Sequence, residues 1–183
     1  MLERFFIEYC SPTLAGLKTA NLFNYTIEHP CDLDAHIQEW NQQLNRRGVF
    51  LTILDRHADR ALIYVYRKSR LQDDLQQEGT AEFLSPLQYD CSDVEACLKR
   101  LRERIVQTHS FPHEIGLFLS YPLKDVIGFI ENGGQNYRCV GCWKVYCDKC
   151  EAEKLFAKFR KCKQVYTHLF HSGRSITQLT IAA

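Results

Sequence analysis

Residues 113–122 read His-Glu-Ile-Gly-Leu-Phe-Leu-Ser-Tyr-Pro, and the apolar run at 115–120 decides the architecture. A short, almost unbroken apolar run is what a strand covered on both sheet faces looks like. Read that way, it begins a C-terminal βαβαβ unit. Pro122 suits the first position of a following helix, whose buried stripe is Leu123, Val126, Ile127 and Ile130 and whose end is Asn132-Gly133-Gly134. Residues 137–146 supply the second strand. Asp148 and Glu151 have capping-box spacing for a long helix to about His171, with the stripe Leu155, Phe159, Cys162, Tyr166 and Leu169, and Gly173 stops it. Residues 175–181 form the terminal strand. Strands alternating with helices imply parallel pairing and right-handed crossovers.

Working upstream, Ser92-Asp93-Val94-Glu95 reads as a capping box opening a helix with the stripe Val94, Leu98, Leu101 and Ile105; Cys97 lies beside that stripe. Residues 49–54 and 61–66 are β-rich runs joined by a polar loop, an antiparallel pair. A weaker helix falls near residues 71–77. Leu33, Ile37, Trp40 and Leu44 mark a helix over residues 34–47 with Gly48 as its stop. In the first thirty residues, Leu14, Leu17, Leu22 and Phe23 suggest a helix opened at Pro12. The expected fold is α/β: one domain over residues 1–183, with a mixed, mostly parallel sheet of about five strands flanked by helices.

The chain has 183 residues and a net charge of +1, which gives no general pull toward nucleic acid. The basic clusters at Lys99–Arg104 and Lys158–Lys163 read as solvated helix faces. No apolar run is long enough to span a bilayer, and the first residues lack the pattern of a secretory signal. Nine cysteines without an export signal fit a reducing cytoplasm, and an odd number cannot all pair internally.

Four of them crowd together as Cys139-x2-Cys142-x4-Cys147-x2-Cys150. Zinc needs four sulfurs about 2.3 Å from one ion. Were residues 142–147 extended, those two cysteines would be about 16 Å apart at roughly 3.3 Å per residue. A shared site therefore requires residues 143–146 to fold back. A zinc or iron–sulfur site drawing on distant thiols, such as Cys10 or Cys162, is the alternate metal reading. Cys147 and Cys150 also form a CxxC at a helix N-terminus beside Lys149, a placement that stabilises a thiolate in redox dithiols. The plain alternative is that these are small packing residues.

Other candidates are single side chains. Lys18 stands in an apolar segment, where it either snorkels to water or turns inward to hold an anion or act as a base. His109, His113 and Glu114 offer ligands or a base with its orienter, or simply a solvated loop. Ser120 and Tyr121 would sit at the carboxyl edge of a parallel sheet, where ligands gather. Trp143, Tyr146 and Tyr137 offer faces for a planar ligand such as flavin or haem, or ordinary packing. Walker loops, dinucleotide-binding glycine motifs and hydrolase elbows are absent from the sequence.

The phrases Pro12-Thr13-Leu14-Ala15-Gly16-Leu17-Lys18, residues 113–122, Gly128-Phe129-Ile130-Glu131-Asn132 and Gly141-Cys142-Trp143-Lys144-Val145-Tyr146 resemble, over nearly the whole chain, a bacterial domain-of-unknown-function family found mostly in anaerobes. The resemblance implies a setting near flavodoxins and iron-uptake proteins, with flavodoxin or another redox protein as partner. It implies that Cys10, Cys139 and Cys162 belong to the family pattern and that Cys142, Cys147 and Cys150 depart from it. It directs attention to Lys18, Glu114, Ser120, Tyr121 and Lys144.

Three functions stand as expectations: a cytoplasmic cysteine-rich accessory protein binding a metal or redox cofactor, an enzyme on a small anionic substrate, or a partner-binding module without catalysis. The first expects zinc or an iron–sulfur group; none of them expects nucleic acid or a membrane.

Overall fold

The computed structural model describes residues 2–27, 33–108 and 111–182. The chain opens with helix α1 (Leu2–Leu14) and strand β1 (Ala20–Thr26). Helix α2 (Leu33–Leu44) follows, then strands β2 (Val49–Arg56) and β3 (Arg60–Arg67). Helices α3 (Lys68–Leu75), α4 (Thr80–Leu84), α5 (Val94–Thr108), α6 (Ile115–Phe118) and α7 (Leu123–Glu131) come next. A hairpin of β4 (Cys139–Val140) and β5 (Lys144–Val145) leads into the long α8 (Lys149–His171) and the short α9 (Ile176–Leu179).

The mostly parallel five-stranded sheet is corrected. Among the described residues there is one three-stranded sheet, ordered β1-β3-β2 and antiparallel throughout, plus the small antiparallel β4–β5 pair. The β2–β3 hairpin is where the β-rich runs placed it. β3 is the central strand, and its side chains alternate between two cores. Ala61, Ile63 and Val65 face a cluster built with α1, α2, α8 and α9. Leu62, Tyr64 and Tyr66 face a second cluster built with α3 through α7.

The C-terminal βαβαβ fails at each strand for a separate reason. Residues 115–118 form a single buried helical turn, because an all-apolar run has no period to separate strand from buried helix. Gly116 lets that turn approach α7: a Cβ there would lie 2.8 Å from the Val126 Cγ2. Residues 137–146 fold back on themselves because Gly141 accepts the Phe156 ring into its own side-chain space; a Cβ there would lie 2.3 Å from that ring. Residues 176–179 form a helix held by a complete capping box between Ser175 and Gln178.

Residues 14–23 are also corrected. α1 ends at Leu14, and the chain turns through Gly16 at φ +69° into β1, which pairs with β3. The orphan carbonyls at the end of α1 are met by Arg67. Its buried guanidinium donates to Thr13 O, Leu14 O and Ile181 O, each at 2.7 Å. One side chain thus ties the central strand, the first helix and the C-terminal segment together. α2, α5, α7 and α8 stand where the sequence put them, although α5 is capped by Asp93 rather than by the predicted box, and of the stripe predicted for α7 only Val126 is buried, Ile130 being exposed. No helix among the described residues is long and apolar enough to cross a membrane.

Candidate functional site

The region that collects the sequence candidates lies where α6, α7, the β4–β5 hairpin and the start of α8 meet. Asp125, in the first turn of α7, organises it. Its carboxylate is buried and accepts from the Trp143 Nε1 at 2.8 Å, the Tyr146 amide at 2.7 Å and the Cys147 amide at 2.9 Å. Burial alone pushes this carboxyl up. The Cys147 thiol, the two amides and the indole, all bonding to the charged form, more than reverse that, so it lies below the ordinary aspartate value. Residues 143–147 are therefore pinned to the N-terminus of α7, where the helix dipole also favours the negative charge. Gly128 allows the approach: a Cβ there would lie 2.6 Å from Tyr146.

Aromatic rings fill the junction. Tyr121 stacks on Trp143 with centroids 4.8 Å apart, and Trp143 meets Phe156 edge-on at 4.6 Å. Tyr121 also donates its hydroxyl to Cys142 O. Beside these rings opens a cleft of about 410 Å³. Its walls are Phe111, Pro112, His113, Ile115, Gly116, Tyr121, Val126, Phe129 and Trp143, with Asp125, Val140, Gly141, Cys142 and Lys144 completing it.

Lys18 lies over the Tyr121 ring at 5.4 Å and is buried. Burial drives its ammonium down to about 8, opposed by the nearby thiols of Cys142 and Cys10. The Cys142 thiol is itself pushed up by burial, against the pull of Lys18 and Arg160.

The other candidates have visible partners. Glu114 is buried and accepts from Arg104 Nε at 2.8 Å and from the Tyr89 hydroxyl at 3.1 Å, which makes it a tie between α5 and α6. Lys144 donates to Gly134 O at 2.7 Å and stands over the Phe129 and Tyr137 rings. Ser120 sits at φ +57° in the turn after α6 and does not line the cleft. His113 does line it, edge-on to Phe129; His109 lies outside the described residues.

The cysteines are spread apart in role. Cys10 is fully buried, its thiol pushed well up by desolvation, and Cys162 is buried in the same core with its thiol pushed up to about 11. Cys142 and Cys150 are exposed, Cys139 and Cys147 partly so. Although the hairpin does fold back, no group of three or more His, Cys, Asp or Glu side chains among the described residues is placed to hold a metal ion. The Cys147 thiol is raised by burial and by its bond to Asp125, the reverse of what the α8 N-terminus alone would do.

Sequence reasoning missed Asp125, and no signal marked it: an acidic residue in a first helical turn is ordinary. Phe111, Val126 and Phe129 were likewise indistinguishable from core.

No curated protein and no solved structure matches the chain. A family model does, over residues 6–180, in agreement with the full-length resemblance of the sequence phrases: the chain belongs to the family described as protein of unknown function DUF3793.

Proposed function

We propose that this protein binds a small molecule with a flat, apolar body in the cleft between α6, α7 and the β4–β5 hairpin. The observation that carries this is the cleft itself. At about 410 Å³ it is of ligand size, its walls are largely aromatic and aliphatic, and a few polar groups stand at its edge. Its walls are fixed before any ligand arrives, because Asp125 pins the hairpin and Trp143 is clamped between Tyr121 and Phe156. A preformed site of this kind spends little binding energy on ordering.

The test is an amide-resolved NMR titration with 2-naphthol, a neutral flat probe. Shifts confined to Gly116, Val126, Gly141 and the Trp143 indole are expected. Val140→Trp, at a position 62% exposed on the cleft rim, fills the mouth without touching the core and should abolish those shifts. Scattered shifts, or shifts that survive Val140→Trp, would refute the assignment.

A further inference from the structure

The polar side chains that line the cleft are unevenly satisfied. Tyr121 donates its hydroxyl to Cys142 O, and the Trp143 indole donates to Asp125. Among the described residues Asp125 is the one carboxylate of the lining, and it is 2% exposed with both oxygens engaged. Its Oδ1 accepts from the Tyr146 and Cys147 amides, and its Oδ2 from the indole. These donors answer its charge, so it presents no open acceptor to a ligand. The lining side chains that keep open hydrogen-bonding capacity are Lys144, His113 and the Cys142 thiol, and all three can donate.

Lys144 stands on β5, half-buried, and its ammonium is fixed in place. It donates to Gly134 O at 2.7 Å. Gly134, at φ +75°, closes tightly on this corner: a Cβ there would lie 3.4 Å from the Lys144 Nζ and 3.1 Å from the Phe129 ring. The ammonium lies 5.7 Å from the Phe129 centroid and 5.0 Å from that of Tyr137. An ammonium has three donors, and one carbonyl takes one of them. No carboxylate among the described residues pairs with it. His113 stands against the same Phe129 ring, edge-on, with centroids 5.1 Å apart. Its imidazole is exposed and makes no hydrogen bond to another described residue. The Phe129 wall of the cleft thus carries a fixed cation and an open imidazole, with no open acid facing them.

We infer that the molecule taken by the cleft is an anion, a flat apolar body bearing a carboxylate or phosphate that meets Lys144 and His113 beside Phe129. This rests on the cleft reading for the body of the ligand and adds the group that orients it. Lys144 supplies the stronger attraction, because flanking rings limit the water around it and its position is preset. His113, exposed, supplies a weaker and more screened one.

The experiment is a charge series on one ring system, by the same NMR titration: 2-naphthoate, 2-naphthyl phosphate, 2-naphthol and 2-naphthylmethylammonium. The better acid should bind about tenfold more tightly than 2-naphthol, of the order expected for one partly screened charge-assisted contact. The ammonium should bind more weakly than 2-naphthol. Whichever acid binds more tightly names the acid group. Lys144→Met keeps an apolar stem against Phe129 and should bring the ratio of acid to 2-naphthol affinity close to one, while Lys144→Arg, which keeps the charge, should retain most of it. His113→Gln, at an exposed position, should lower the ratio by about threefold. Should Lys144→Met lose 2-naphthol as well, the wild-type series and His113→Gln decide. Equal affinities for the acids and 2-naphthol, a ratio that survives Lys144→Met, or an ammonium bound as tightly as either acid would overturn the inference and leave the cleft reading standing. Silence from all four probes would overturn both.

Discussion

In the three-stranded sheet, Ile63 and Tyr64 are fully buried neighbours on opposite faces, each inside a continuous apolar cluster. In the β4–β5 hairpin, Val145 is the one buried residue among the four strand positions, and the structure leans on a carboxylate below it. The sheet is held by non-directional burial spread over many side chains, so that a large side chain lost from it weakens the whole fold. The hairpin has only a small apolar cluster, Trp143 and Val145 with Ala152, Phe156 and Phe159 of α8, and is held besides by a few directional bonds to Asp125. Two-residue strands are too short to stand without such support. Around the concave, aromatic cleft, polar latching by Asp125 supplements a thin core.

The comparison makes graded predictions. The largest effect belongs to the sheet: Tyr64→Ala removes a fully buried ring and its hydroxyl bond to Phe118 O, and should cost about 3–5 kcal/mol in denaturant unfolding, a global loss. Asp125→Asn should cost about 2 kcal/mol, since an amide loses the charge-assisted bonds and turns a donor toward the indole or an amide. Its pH dependence has a definite sign. The folded carboxyl lies below its unfolded value, so its contribution is full at neutral pH and is lost as pH falls through the acid range below about 4. The gap between wild type and Asp125→Asn should therefore be constant near neutrality and close on acidification. Gly141→Ala should cost about 1–3 kcal/mol by driving a methyl group into Phe156, and should loosen the hairpin without changing the unfolding of the sheet. The smallest effect, within about 0.5 kcal/mol, is expected for Val140→Trp, an exposed substitution that tests the cleft alone. Thiol labelling gives a parallel contrast: exposed Cys150 should react readily and Cys142, whose thiol is raised, more slowly, while buried Cys10, Cys97 and Cys162 should wait for unfolding.

The helices with clean apolar stripes, α2, α5 and α8, were legible because burial on one face imposes a 3.6-residue period. The β2–β3 pair was legible from two β-rich runs on either side of a polar loop, although β3 is buried on both faces and shows no alternation. Residues 115–120 were not, because they are buried on every side and carry no period. Gly141 was visible in the sequence, but its role depends on Phe156 arriving from another helix. Ser175 and Gln178 carry a capping signal that outweighs the β-branched residues around them. At the site, Lys18, Tyr121, Trp143 and Cys142 were singled out by type, and the fold brings them together. Asp125 could not be singled out, because its importance lies wholly in what residues 143–147 do in space. The thiols drew notice by their spacing, yet spacing along the chain says little about convergence once a hairpin intervenes.

The central claim is that one buried carboxylate holds the cleft-forming hairpin independently of the sheet. Native-state hydrogen exchange on Asp125→Asn tests it most directly. The amides of Val145, Tyr146 and Cys147 and the Trp143 indole should lose protection by a factor of ten or more, about 1.4 kcal/mol or above, while Ile63 and Val65 exchange as in the wild type. Equal loss in both regions, or unchanged protection in the hairpin, would contradict the account.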